Sequence, residues 1–381
     1  MNVAAGARYD PVREVFASLL AEGRGGAGFA AVVGGRLVLD LTGGCAEPAT
    51  GRPWGPHTAV TVFSGSKGLV AMCLALLVDR GALDLEAPVS RYWPEFAAAG
   101  KGDITVGRLA SHSAGLVALA SPPSADDLRD PAKLGRLLAA QAPDAALQGR
   151  PCYHPLTFGW LCGEVVRRVS GLPLAELFAA EIAGPAGADV RFGMPAQQQG
   201  RVAELFAGAT WERNATRLRA EGAARMFGPA GLWSGERIGW NSSALRAAEI
   251  PGAGAIGTAA GMARCYARFA GQLDRRPPLV SAPTRTLVTE ERAAGIDPLS
   301  DEPIRYGAGF QLQVPTRSYF GPPADAFGHG GAGGSSHGWW PSHDVAYSFV
   351  MNELREETQD RRARRLLEAL FACLPTASGA R

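Results

Sequence analysis

The stretch from Lys67 to Arg80 limits what this chain can become more than any other part of it. Between Lys67 and the closing Asp79-Arg80 it holds Leu, Val, Ala, Met and Cys with a single glycine, so a helix formed there has no polar face. Such a helix must be buried, and the rest of the fold must wrap around it. Gly81 follows as its C-cap. The lysine at its head is out of character, because an ammonium carried into a core is costly.

The neighbouring segments supply that wrapping. Residues 10–22 have helical spacing, with Val12, Val15, Phe16, Leu19 and Leu20 on one side. Two β-prone runs, 27–33 and 36–41, flank Gly34-Gly35 and read as a hairpin. Val60 to Phe63 reads as a short extended lead-in to the apolar helix. Helical pieces are expected at 161–169, 174–182 and 258–273, strands at 307–314 and 345–351, and a closing helix from Glu356 to Cys373. Residues 117–150 and 196–250 give no clear pattern. Strands at both ends with helices between predict an α+β fold with one sheet made by the two termini. The whole of 1–381 then forms one hydrolase-sized unit, with 1–83 and 255–381 as an α/β subdomain and 84–254 as a mostly helical one.

Composition narrows the function classes. Hydrophobic residues make up 46% and charged residues 19%, enough apolar material for a large core. The net charge of +2 gives no reason to expect nucleic acid or an anionic membrane as a partner. The six cysteines are scattered without a C-x-x-C pair and read as small buried hydrophobes. The first ten residues lack a basic-then-apolar run, and no apolar stretch is long enough to span a bilayer. A soluble, cytoplasmic location is expected.

Three segments could carry chemistry. Ser64-Gly65-Ser66-Lys67 is an S-x-x-K, in which positions i and i+3 share a helix face and bring the amine beside the hydroxyl. A serine is a weak nucleophile until a base takes its proton, and burial lowers a lysine's pKa as that base requires. The plain alternative is a capping serine followed by a surface lysine. Tyr153, at a turn entering a helix, could relay the proton. The glycine-dense run from Phe327 to Gly338 could expose backbone N–H groups to an oxyanion, or simply form a turn. Gly334-Ser335-Ser336-His337-Gly338 also matches G-x-S-x-G. Trp339-Trp340-Pro341 follows it instead of a helix, and no acid then histidine comes after, which argues against a nucleophile elbow. His112 reads as structural. His337 is a candidate pocket residue, and Trp339 and Trp340 are candidates for an acyl-site wall.

In this order, the three segments resemble the serine β-lactamase and penicillin-binding-protein superfamily, and most of all the class C β-lactamase-like, family VIII carboxylesterases. Supporting similarity runs through 83–96, 104–116 and 160–171. The resemblance implies Ser64 as the acylated nucleophile, Lys67 as its base, Tyr153 as a general base and acid, and His329-Gly330-Gly331 at the family's K-T-G or H-x-G site. It also implies an oxyanion hole from the backbone N–H groups of Ser64 and Ala332. Two positions depart from the pattern. Pro155 replaces the asparagine of Y-x-N, and His329 replaces the lysine that would attract a carboxylate. Both favour neutral, short-chain esters over β-lactams, with a small-molecule ester or acyl substrate and neither metal nor organic cofactor. Acyl transfer or thioester cleavage, weak β-lactam or D-amino-acid peptide hydrolysis, and a non-catalytic binding protein remain alternatives.

Overall fold

The computed structural model describes residues 7–218, 222–234, 238–271 and 273–375. A central antiparallel sheet organises it. Its strands are β1 (Gly26–Val33), β2 (Arg36–Glu47), β3 (Arg52–Pro53), β4 (Ala293–Asp297), β5 (Glu302–Tyr306), β6 (Gln311–Leu312), β7 (Phe327–Gly331), β8 (Ser335–Trp340) and β9 (Val345–Met351). Their order across the sheet is β3-β2-β1-β9-β8-β7-β6-β5-β4, nine strands in all. The N-terminal hairpin joins the C-terminal strands where β1 pairs with β9, with Phe29 opposite Phe349 and Ala31 opposite Tyr347. This is the α+β arrangement, with one sheet made by the two termini, that strands at both ends of the chain predicted.

Helices cover both faces. The principal ones are α1 (Asp10–Ala21), α2 (Gly65–Asp79), α3 (Thr157–Ser170), α4 (Ala259–Ala270) and α5 (Arg362–Ala372). A side chain at Gly43 would strike Leu20 of α1, whereas one at Gly28 would meet Ala259 of α4. Gly43 lies opposite Ala27 in the ladder, one residue from Gly28, so alternation puts α1 and α4 on opposite faces. α1 packs beside α5, and α4 lies across β1, β9 and β8. α2 runs between β7 and α3, with every residue from Gly65 to Leu77 buried.

Several boundaries differ from the sequence reading. α2 begins at Gly65, two residues early, and its end is set by Gly81 in a left-handed conformation at φ 67°. α3 begins at Thr157, four residues early. α4 starts after Thr258, whose hydroxyl caps Gly261 N, and stops at Ala270 because Gly271 turns to φ 96°. Gln272 lies outside the described residues, as do 219–221 and 235–237 within the stretch that gave no pattern. The expected strand at 307–314 shrinks to Gln311–Leu312, since Gly307 and Gly309 form a turn in which Gly307 N donates to Phe310 O. α5 begins at Arg362 and not Glu356, because the Asp360 carboxylate takes the Arg362 backbone N–H and guanidinium and so opens the helix there. The helical region also holds the short strands Val190–Phe192 and Phe206–Ala207. No helix among the described residues is long and apolar enough to cross a membrane.

Four histidines, His112, His154, His329 and His337, are buried around the α2 end of the core. Loss of hydration pushes all four below the ordinary imidazole value, to about 4 for His154 and about 3 for His329 and His337. They are neutral in the fold and free to protonate once it opens. Their depressed values mean that stability is full above the unfolded value near 6.5 and falls as the pH drops toward 3–4. Each imidazole gives up as much as about 1.4 kcal/mol per pH unit in that window. Urea midpoints should be nearly level above about pH 6.5 and fall from there to about pH 5.0, above most of the range where carboxylates titrate; a flat midpoint over that window would contradict neutral burial.

Gly68 of α2 faces Tyr266 of α4, and a Cβ there would sit 2.1 Å from the phenol oxygen and 3.1 Å from Cζ. Gly68→Ala should destabilise by about 1–3 kcal/mol, the usual cost of overpacking. Tyr266→Phe in the same chain should recover part of that loss in thermal melts, because the nearest clash disappears.

Candidate active site

The nucleophile candidate stands where a strained turn meets the buried helix. Phe63 has φ 46°, in a region that costs a bulky residue about 1–3 kcal/mol. Its ring is held 5.4 Å from Trp233 and 5.6 Å from Trp240, so packing stabilises the turn that delivers the next residue. That residue, Ser64, occupies the N-cap position of α2 but makes no capping hydrogen bond. The plain alternative of a capping serine therefore fails. Its Oγ lies 3.0 Å from Lys67 Nζ and accepts a hydrogen bond from the Tyr153 hydroxyl at 2.7 Å.

Lys67 is fully buried and carries no ion pair among the described residues. Desolvation drives its pKa well below the ordinary lysine value, which favours the neutral amine with its lone pair. It donates to the Gly252 carbonyl at 2.8 Å, which leaves the lone pair for the Ser64 hydroxyl. The surface-lysine alternative fails with it. Tyr153 comes from the irregular segment before α3, and its ring lies 4.9 Å from the Lys67 nitrogen. Burial raises the phenol pKa more than the Ser64 hydrogen bond lowers it, so Tyr153 is a neutral donor at rest.

The glycine motif forms the end of β7 and the turn into β8. His329 Nδ1 is 2.7 Å from the Gly330 carbonyl and must carry a proton there. Nε2 of the neutral ring is consequently a bare acceptor, with no partner among the described residues. A Cβ at Gly331 would stand 2.2 Å from the Val62 carbonyl, so only glycine lets β7 approach the segment before Ser64 this closely. The backbone N–H groups of Ser64 and Ala332 donate to no protein acceptor among the described residues, and both residues line the same cleft.

That cleft has a volume of about 320 Å³ and also brings in Tyr153, His329, Gly330 and Gly331. One wall is apolar, from Leu156, Trp211, Phe227 and Trp233. Trp211 Nε1 donates to Trp233 O and Trp233 Nε1 to Phe227 O, at 2.9 and 2.8 Å, so both indole N–H groups are satisfied within the protein. The opposite wall carries Asp297, Glu302, Arg317 and Tyr306, with Arg317 and Glu302 paired to each other. Among the described residues, no three His, Cys, Asp or Glu side chains come together as a metal-binding group.

His337, Trp339 and Trp340 are not among the cleft's lining residues, whereas Ser336 is. His337 is fully buried beneath Gly65 and bonds Ser348 Oγ at 2.8 Å. Trp339 and Trp340 belong to the core of the sheet. Ser336, the central serine of the G-x-S-x-G match, sits within β8, so its chain context is a strand and not a strand-to-helix elbow. Two site features escaped the sequence reading. Gly252 contributes a carbonyl, which leaves no side-chain signature. Asp297, 3% exposed, accepts from the backbone N–H groups of Tyr153 at 3.4 Å and Leu299 at 3.1 Å. The Asp-Pro dipeptide was its only trace, as a turn signal.

Comparison with known proteins gives the family. The chain matches the β-lactamase family over residues 12–371. It is 35% identical over 370 residues to an esterase/β-lactamase, LipL of Mycobacterium tuberculosis, spanning 92% of this chain and 82% of that protein. A crystal structure of a family VIII carboxylesterase superposes with TM-score 0.87 at 34% identity, covering 97% of this chain and 98% of the other. EstA from Arthrobacter nitroguajacolicus superposes with TM-score 0.86 at 31% identity, covering 98% of each. The chain belongs to the β-lactamase family of serine hydrolases, with the fold of the family VIII carboxylesterases.

Proposed function

We propose that the protein is an esterase that cleaves short-chain, neutral carboxylic esters through an acyl-enzyme on Ser64. The observation that carries this reading is a fully buried lysine amine and a neutral phenol meeting on one serine oxygen, 3.0 and 2.7 Å away. Lys67 takes the Ser64 proton as the oxygen attacks the ester carbonyl. The N–H groups of Ser64 and Ala332 receive the developing oxyanion. Lys67 is then an ammonium beside the Tyr153 ring, where its charge eases proton loss from the phenol. Tyr153 protonates the departing alkoxide and recovers a proton from Lys67, so the acyl-enzyme forms with both groups neutral again. Water entering by the alcohol's route reverses these transfers and frees the acid.

The cleft supports the choice of substrate. Its volume of about 320 Å³ is at the low end for small-molecule sites, about 300–1,000 Å³, which suits a short acyl group. His329 is neutral, and the cationic Arg317 is taken by Glu302, so the walls favour an uncharged ester over a substrate that must anchor a carboxylate. LipL bears the name esterase/β-lactamase, and nitrocefin turnover is the check on this point. It should be much slower than p-nitrophenyl butyrate turnover.

Ser64→Ala should lower kcat/KM for p-nitrophenyl butyrate by at least about a thousandfold and abolish fluorophosphonate labelling, with the melting temperature preserved. Retained labelling or near-full turnover would reject Ser64. Lys67→Arg should be similarly inactive, because a guanidinium cannot accept the proton. In the unmodified protein, kcat/KM should fall as the pH drops through the depressed Lys67 value and the amine protonates. Measured pH profiles with no acid limb would contradict a lysine base.

A further inference from the structure

Tyr153 lies in an irregular segment, yet its hydroxyl must be held to a fraction of an ångström between Ser64 Oγ and a leaving oxygen. One residue grips both of its neighbours. The backbone carbonyl of His112 accepts from Cys152 N at 2.9 Å, and its Nδ1 accepts from His154 N at 3.0 Å. The same imidazole packs 5.0 Å from the Tyr153 ring and is stacked 4.7 Å from Phe158 at the start of α3. His112 is itself fixed by full burial, and its φ of 61° is a conformation that histidine and asparagine tolerate better than most residues. His154 is tied down in turn, its Nδ1 meeting Cys152 O at 2.6 Å and its Nε2 accepting from Leu116 N at 3.1 Å.

We propose that His112 is the positioning residue for Tyr153. Its carbonyl and its Nδ1 lone pair clamp the residues on either side, and its ring backs the phenol, so that the hydroxyl stays aimed at the reacting oxygens. The inference rests on the reading of Tyr153 as the acid that protonates the leaving alcohol. Nδ1 must be unprotonated to accept from His154 N, which agrees with burial holding His112 well below the ordinary imidazole value.

The test separates the acceptor from the ring. His112→Phe keeps an aromatic ring but leaves the His154 N–H unpaired, and His112→Gln moves the acceptor to the Nε2 position. His112→Asn returns an oxygen near the Nδ1 position and suits the positive φ. Each variant and Tyr153→Phe is assayed on p-nitrophenyl butyrate, whose leaving group needs no proton, and on ethyl butyrate, whose leaving group does. His112→Phe and His112→Gln should lose about 10- to 100-fold in kcat/KM on the ethyl ester and only a few fold on the nitrophenyl ester. His112→Asn should return the ratio of the two rates to within about threefold of the original. Should the phenylalanine variant fail to fold by its melting curve, the glutamine and asparagine pair decides. Equal losses on both esters, or an asparagine variant as ester-selective as the glutamine one, would overturn the proposal. If Tyr153→Phe alone shows the selective loss, the inference about His112 fails by itself. If neither shows it, the acid role of Tyr153 fails first.

Discussion

A lysine amine buried without a counter-charge is the constraint on which the site depends. Lys67 has no carboxylate partner among the described residues, only the Gly252 carbonyl and the Ser64 hydroxyl. Burial penalises the charged form and holds the pKa well below the ordinary lysine value, toward the neutral form that a lysine base needs. The apolar helix α2 is the instrument of that burial. Its side chains serve the core and, through the core, set the protonation state of the one polar group at its head.

Burial to this depth requires segments to meet at backbone distance, and glycine makes that possible at two decisive points. Gly331 lets the end of β7 reach the Val62 carbonyl, where a Cβ would intrude at 2.2 Å. Gly159 of α3 lets Gly252 come against the helix, where a Cβ would stand 2.0 Å from the Gly252 nitrogen. The first contact brings the Ala332 N–H beside the turn that carries Ser64; the second sets the carbonyl that orients Lys67. The density of glycine in the 327–338 run thus reflects close packing of strand against the turn that carries Ser64.

What could be read in the sequence follows from where the information resides. The apolar run of α2, the 64/67 spacing and the hairpin around Gly34-Gly35 are local patterns, and they located the helix, the serine–lysine pair and the β1–β2 hairpin. Gly252 acts through a carbonyl that every residue possesses. Trp211, Phe227 and Trp233 line the cleft because short helices and turns between 196 and 250 bring them there, pieces that no clear periodicity announced. The strand expected at 307–314 and the helix expected from Glu356 failed for a shared reason. In each, a specific local hydrogen bond, Gly307 N to Phe310 O or Arg362 N to the Asp360 carboxylate, outweighed a favourable hydropathy pattern.

The histidine at position 329 has consequences for Lys67 as well as for the substrate. Position 329 is close enough for a Lys67 cation to lower the imidazole's pKa, and the effect is reciprocal: a fixed charge at 329 would lower the Lys67 pKa further. A neutral imidazole spares Lys67 that repulsion, leaving desolvation as the main cause of its depression and the amine a stronger base than it would be beside a second cation. The same substitution removes an anchor for an anionic substrate. One uncharged ring therefore favours both a more basic amine at the serine and an uncharged ester in the cleft, and a lysine placed there would trade the first property for carboxylate binding.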